Sequence, residues 1–162
     1  MTAMLDTNVI DKLLVEEQFL ERVNFLVKQG RLQIFITGVL KNQIRQITDD
    51  TRREILQRTL RKLKVQYVPV EFAPYGYTYG ECYGGLSPDV TLDRDDFIGG
   101  NNKQIDDAMI AATASSKKYK LDYVVTDDKG FTKRLNRQNT LTKAISFEEF
   151  RLKTVQLQIT GG

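Results

Sequence analysis

Apolar residues in this chain gather in short runs that alternate with segments of helical spacing. Five runs have the length of buried strands, and they lie at 3–5, 32–36, 65–70, 121–125 and 144–145. Apolar positions that repeat every three or four residues predict helices at 9–14, 19–27, about 38–47, about 51–63, about 105–116 and 129–135, with a helical turn at 147–150. This alternation predicts an α/β fold, with a mostly parallel central sheet of about five strands covered by helices.

One segment interrupts the alternation. Residues at about 71–104 hold six of the eleven glycines, two of the three prolines and four of the seven tyrosines. Irregular connections of this length are uncommon in compact domains and often act as lids or as disordered segments. Base stacking, packing in a small hairpin and contact with a partner are alternative roles for Tyr75, Tyr77, Tyr79 and Tyr83. We predict one domain at 1–153 with this Tyr/Gly-rich insertion, and a C-terminal tail or edge strand at 154–162.

Composition narrows the chemistry. The chain has no His and a single Cys, Cys82, so Ser-His-Asp triads, Cys-His pairs, His-ligated zinc and internal disulfides are excluded within it. Acid–base work is left to carboxylates, lysines, tyrosines or metal-bound water, and metal-bound water needs the fewest special arrangements. No apolar stretch approaches the roughly 20 residues of a membrane span. We therefore expect no membrane association and a cytoplasmic, reducing location.

Charge is distributed unevenly along the chain, although the formal net charge is only +3. The runs 41–64 and 117–137 hold eight and seven basic residues against three acids each, whereas 71–96 holds six acids and one Arg. Basic faces beside an acidic centre suit a polyanion whose phosphate is delivered to metal ions. Ordinary solvated helix faces have the same pattern, so charge alone leaves nucleic-acid binding open.

Three acidic motifs stand where predicted elements meet turns. Asp6 follows the first strand, Asp106 and Asp107 open the helix DDAMIAATA, and Asp127 and Asp128 follow the fourth strand. In alternating α/β chains, ligands collect beyond the carboxyl ends of the strands. Singly, Asp6 or Asp127 would serve as a helix N-cap, and Asp106 and Asp107 as first-turn acids. Together they predict a site for a hard divalent cation, which prefers oxygen ligands and neutralises grouped carboxylates.

The order of the motifs MLDTNVI, DDAMIAATA and VVTDDKGF resembles the PIN domain family of metal-dependent nucleases, especially the bacterial VapC-type toxins. The likeness covers nearly the whole chain, from 4 to about 150, with the Tyr/Gly-rich segment as an unusual insertion. It implies that Asp6, Asp107 and Asp128 are the catalytic carboxylates and that they bind Mg²⁺ or Mn²⁺. The resemblance implies supporting roles for Asn8, Gln43, Asp106, Thr126 and Asp127.

The helix after the second strand departs from the family pattern. PIN nucleases usually have a Glu in a stretch of the type T-x-x-x-x-x-E-I/L, and the stretch 37–44 matches it except that Gln43 stands in place of the Glu. A Gln can orient a water or offer a carbonyl oxygen, but it brings no negative charge, so we expect weaker metal affinity. Asp106 or Asp127 would supply the missing charge, and Glu54 on the next helix is a more remote candidate.

The resemblance implies a metal-dependent endoribonuclease that hydrolyses RNA phosphodiester bonds, with the toxin of a toxin–antitoxin pair as one biological role. Its partners would be RNA, contacted by Lys41, Arg45 and Lys103, an antitoxin protein bound across the basic groove, and a second copy of the chain. Nothing in the composition separates RNA from DNA as the substrate.

Two other classes of function remain open. A catalytically weak or inactive PIN domain that binds RNA or protein is favoured by Gln43, with the Tyr-rich insertion as its contact surface. A phosphatase of the haloacid dehalogenase type also has an Asp after its first strand. That family wants a second Asp two positions further on, where this chain has Asn8.

Overall fold

The structure is a computed structural model that describes residues 1–71, 89–100 and 104–159. The predictions for the four tyrosines of the insertion and for Lys103 fall outside these residues. The described residues form five strands: β1 (Thr2–Leu5), β2 (Gln33–Thr37), β3 (Gln66–Val68), β4 (Tyr123–Val125) and β5 (Lys143–Ile145). They form one sheet in the order β3-β2-β1-β4-β5, and every neighbouring pair is parallel. The predicted α/β fold with a parallel sheet of about five strands is confirmed.

Helices connect and cover these strands. In chain order they are α1 (Thr7–Val15), α2 (Glu17–Lys28), α3 (Gly38–Arg45), α4 (Asp50–Lys62), α5 (Arg94–Ile98), α6 (Ile105–Ala114), α7 (Lys129–Arg137) and α8 (Phe147–Ile159). In this part of the chain, no helix is both long enough and apolar enough to span a membrane.

The central strand β1 shows why the sheet is covered on both faces. Ala3 and Leu5 join one apolar layer with α1, α2 and α8, whereas Met4 joins the opposite layer with α5, α6 and α7. None of the three is more than 2% exposed. Strands buried on both faces read as continuous apolar runs, which is why the sequence revealed them. Polar side chains are therefore left to the ends of the strands.

The order of the strands creates a switch point between β1 and β4. The connections from β1 lead through β2 to β3 on one side, and the chain then crosses to β4 and β5 on the other side. In open α/β sheets, a crevice forms outside the carboxyl ends of the strands at such a point. Asp6 directly follows β1, and Thr126, Asp127 and Asp128 directly follow β4.

One local prediction was wrong, and the insertion holds a helix that the sequence pattern did not indicate. The C-terminal segment is not an edge strand, because α8 continues to Ile159. Its buried residues Phe147, Phe150 and Thr154 are spaced by three and four positions, so they lie on one helical face, and both phenylalanine rings pack edge-on against Phe19 of α2. The predicted insertion also contains a helix, α5, whose Phe97 is fully buried.

Two residues of the insertion, Glu71 and Val90, contact the region around the C-terminal end of α6. The backbone N–H of Glu71 donates to Oγ1 of Thr113 at 3.1 Å, and the hydroxyl of Tyr119 donates to Oε1 of Glu71 at 2.7 Å. Further along the insertion, Val90 forms an antiparallel bridge with Ser116. Two parts of the insertion therefore lie beside the same helix end.

Candidate metal centre at the switch point of the sheet

Asp6 is held between β1 and β4 by four hydrogen bonds. Its backbone N–H donates to the carbonyl of Val125 at 3.1 Å, which continues the pairing of the two strands. Its Oδ1 accepts the N–H of Thr7 at 2.7 Å, so Asp6 is the N-cap of α1. Its Oδ2 accepts from Nδ2 of Asn8 at 2.9 Å and from Oγ1 of Thr126 at 2.7 Å. The carboxylate is therefore fixed in one orientation.

Asn8 and Thr126 join the loop after β1 to the loop after β4. Nδ2 of Asn8 also lies 3.1 Å from Oγ1 of Thr126, and its Oδ1 accepts the N–H of Asp127 at 3.2 Å. Oγ1 of Thr126 accepts the N–H of Asp128 at 3.1 Å. The two supporting residues thus position the carboxylates on both loops.

The two acids after β4 have different environments. Asp128 is the N-cap of α7, because its Oδ1 accepts the N–H of Phe131 at 2.8 Å. Asp127, which was the predicted cap, instead accepts from Nζ of Lys12 at 2.6 Å and from the N–H of Phe147 at 3.0 Å. Partial burial opposes ionisation of Asp127, but these two bonds outweigh it and lower its pKa. Asp127 is therefore committed to a structural ion pair.

Asp107, in the first turn of α6, is paired with a cation that the sequence did not reveal. Nη2 of Arg134 lies 2.7 Å from Oδ2 of Asp107. The Arg134 side chain is only 19% exposed, and its guanidinium lies 5.0 Å from the centre of the Phe97 ring. Its buried Nε has no hydrogen-bond acceptor among the described residues. A partly buried guanidinium thus lies beside the carboxylate that the resemblance makes a metal ligand.

We call Asp6, Asp107 and Asp128 the acidic centre, because their charges act on one another. Burial raises the pKa of Asp6, and the charge of Asp128 raises it further, although the hydrogen bonds from Thr126, Thr7 and Asn8 oppose the shift. Burial also raises the pKa of Asp107 to about 6, against the charge of Arg134 and with contributions from Asp128, Asp6 and Asp106. The three carboxyl groups are therefore close enough for their charges to influence one another.

The remaining acidic candidates and Gln43 lie at different distances from this centre. Gln43 is adjacent to it, because its Oε1 accepts a hydrogen bond from Oγ1 of Thr7, the residue after Asp6. Asp106 is half-buried beside Asp107 and contributes to its raised pKa. Glu54 is exposed on α4.

The donor atoms of the acidic centre suit a hard divalent cation, but the arrangement of the side chains suits one less well. The acidic centre offers carboxylate oxygens, which Mg²⁺ and Mn²⁺ prefer. Within residues 1–71, 89–100 and 104–159, however, no group of three or more acidic or Cys side chains is arranged to hold a metal ion. Arg134 supplies a positive charge to Asp107 in this arrangement.

Two of the predicted nucleic-acid contacts lie away from the acidic centre. Lys41 and Arg45 line a cavity of about 300 Å³ between α3 and α4, together with Arg61, and Nζ of Lys41 lies 4.5 Å from the centre of the Tyr67 ring. At 3.6 residues per turn, Lys41 and Gln43 point about 200° apart around α3. Because Gln43 faces Thr7, the Lys41 side of the helix faces away from Asp6.

A different cavity adjoins the acidic centre. It has a volume of about 430 Å³, lies between α7 and α8, and includes Thr126, Lys129 and Lys133 in its lining. We call it the α7–α8 cleft. Sequence reasoning missed these two lysines as well as Arg134, because the basic run 117–137 reads equally well as a solvated helix face. The available signal was the i, i+4 spacing of the lysines directly after the TDD motif.

No protein-family model matches the chain, and no curated protein matches it either. The motifs and the geometry at the switch point therefore carry the functional proposal.

Proposed function

We propose that this chain is a metal-dependent endoribonuclease of the PIN type, which hydrolyses RNA phosphodiester bonds with Mg²⁺ or Mn²⁺ at Asp6, Asp107 and Asp128. The proposal rests on the grouping of these three carboxylates at the switch point. The charge of Asp128 contributes to the raised pKa values of Asp6 and Asp107. Grouped like charges are unfavourable in a folded chain unless a cation neutralises them. Perturbed carboxylates in a crevice are also typical of functional sites.

The residues of the acidic centre have distinct tasks under this proposal. Asp6 and Asp128 are oriented by the fold itself, because each accepts a backbone N–H of the helix that it caps. A bound ion would lower the pKa of a coordinated water and neutralise charge that develops on the phosphate. Arg134 would compete with the ion for Asp107, since its Nη2 lies 2.7 Å from Oδ2 of that carboxylate.

Gln43 makes the proposed centre less negative than that of a PIN nuclease with the usual Glu. Its carbonyl oxygen is occupied by the Thr7 hydroxyl, so it orients the loop that carries Asp6 without adding charge. We therefore expect metal binding to require higher concentrations than a four-carboxylate site would need. The toxin role, the antitoxin partner and homodimerisation stay predictions from the resemblance.

A second candidate is a PIN-type module that binds RNA or protein without cutting it. The Arg134–Asp107 ion pair favours this alternative, because it already neutralises one carboxylate of the acidic centre. Binding of RNA without cleavage at any Mn²⁺ concentration would identify this case.

The test is cleavage of a mixed RNA pool with Mn²⁺ by the wild type and by Asp6→Asn and Asp107→Asn. We expect each substitution to reduce the cleavage rate by at least about 100-fold, the size of a lost catalytic interaction of a few kcal/mol. Asp11→Asn is the matched control, since Asp11 lies on α1 in an exposed pair with Arg52 and should leave the rate unchanged. Cleavage that survives both substitutions in the acidic centre would contradict the proposal.

A further inference from the structure

The α7–α8 cleft is continuous with the acidic centre. Thr126 lines the cleft, and its hydroxyl donates to Oδ2 of Asp6 at 2.7 Å. Asp127, the next residue, also lines the cleft. A chain of phosphates that lies in the cleft therefore leads directly to the carboxylates.

Two lysines give the cleft its capacity to bind an anion. Lys129 and Lys133 are one turn apart on α7, and both are exposed. In the part of the chain that the structure describes, neither lysine forms an ion pair. Their ammonium groups are therefore available to a ligand.

The acids that border the cleft are already engaged. Asp127 is paired with Lys12 at 2.6 Å. Oε2 of Glu149 accepts the N–H of Ser146 at 2.9 Å and its hydroxyl at 3.1 Å, which caps the start of α8. Lys12 offsets the charge of Asp127, so the two lysines of the lining face one remaining acid, Glu149, and the cleft keeps a positive balance.

The basic face of α3 and α4 suits a phosphate chain less well. The cavity on this face is lined by Lys41, Arg45 and Arg61 together with Ile36, Ile44 and Leu60. The face lies on the side of α3 that points away from Asp6. A polyanion bound there would not present a phosphate to the acidic centre.

We propose that Lys129 and Lys133 bind backbone phosphates of the single-stranded RNA substrate and that the α7–α8 cleft is its path to the acidic centre. This inference rests on the proposed nuclease function and names the surface that positions the substrate. Contacts of this kind go to phosphates, so they position the strand without selecting its sequence.

The experiment measures binding of a fluorescein-labelled single-stranded RNA by fluorescence anisotropy in EDTA, over a range of salt concentrations. Each phosphate contact on a single strand contributes about 0.7 to the slope of log K against log salt. Lys129→Gln with Lys133→Gln should therefore lower the slope by about 1.4 and weaken binding about 25-fold at 0.1 M salt. Lys129→Arg with Lys133→Arg keeps both charges and should keep the slope.

Lys41→Gln with Arg45→Gln is the matched control, because it removes the same charge from the α3 face. We expect it to change the slope by much less than the α7 pair does. A slope that is unchanged by the Gln substitutions on α7 would overturn the proposed path, and if metal-dependent cleavage persists the nuclease proposal still stands. Absence of RNA binding by the wild type at low salt would also overturn the proposed path, whereas the cleavage assay with Mn²⁺ decides the nuclease proposal.

Discussion

A substitution of Arg134 is a severe test of whether the acidic centre binds a cation. Its Nη2 lies 2.7 Å from Oδ2 of Asp107, so it takes the place of a cation at that carboxylate. The substitution Arg134→Gln removes the charge and keeps a polar side chain of intermediate length. It should have opposite effects on metal-free stability and on metal affinity.

The expected loss of stability follows from the burial of the Arg134–Asp107 pair. The side chains of Arg134 and Asp107 are 19% and 32% exposed, so the pair lies between an exposed pair, worth at most about 1 kcal/mol, and a buried pair, whose disruption costs about 3–5 kcal/mol. We expect Arg134→Gln to lower the free energy of unfolding in EDTA by about 2 kcal/mol. Without the competing guanidinium, Mn²⁺ should bind at least about tenfold more tightly, which corresponds to about 1.4 kcal/mol.

The assay combines urea unfolding with calorimetric Mn²⁺ titration at pH 8, where Asp107 is ionised because its pKa is about 6. At a hundredfold excess over Kd, the ion should stabilise the folded state by about 2.7 kcal/mol and so restore the variant. Arg137→Gln is the control, since Arg137 lies on the same helix but pairs with Asp96. The reasoning is refuted if Arg134→Gln binds Mn²⁺ no more tightly than the wild type, or if Arg137→Gln has the same effect.

Two further predictions concern single residues of the same centre. Gln43→Glu should lower the Mn²⁺ concentration for half-maximal cleavage several-fold, because a carboxylate can still accept the hydrogen bond from Thr7 and adds the missing charge. The control is Gln57→Glu, on the exposed face of α4. Equal half-maximal Mn²⁺ concentrations for the two variants would contradict the prediction. The raised pKa of Asp107 makes the wild type lose stability as pH rises through about 6, since ionisation is harder in the folded state. A shift of about two pKa units is worth about 3 kcal/mol. Solvent screening of this partly exposed group reduces that value. The free energy of unfolding of Asp107→Asn, relative to that of the wild type, should therefore increase by about 1–2 kcal/mol between pH 4 and pH 7. In urea unfolding in EDTA, a difference that stays constant or moves the other way would rule this out.

The strands and the position of the acidic residues were accessible from sequence for a physical reason. Strands that are buried on both faces consist mainly of apolar residues, so β1 and β4 stand out as apolar runs. The first acidic residue after each run marks the end of the strand. The parallel order of the strands then brings Asp6 and Asp128 to the same edge of the sheet. Local pattern and overall topology agree there.

Other features depend on contacts that a local pattern does not contain. The segment VQLQI alternates like a strand, but it continues α8, whose Phe147 and Phe150 pack against Phe19 of α2. The pairing of Arg134 with Asp107 joins residues 27 positions apart on two helices, so the TDDKGF motif does not predict it.

The central claim is that Asp6, Asp107 and Asp128 bind a divalent cation, and a crystal structure with Mn²⁺ located by its anomalous scattering tests it most directly. The account predicts an ion about 2.1 Å from carboxylate oxygens of these three residues, with Arg134 turned away from Asp107. An Arg134–Asp107 pair that stays intact at saturating Mn²⁺, with no ion at the acidic centre, would contradict it.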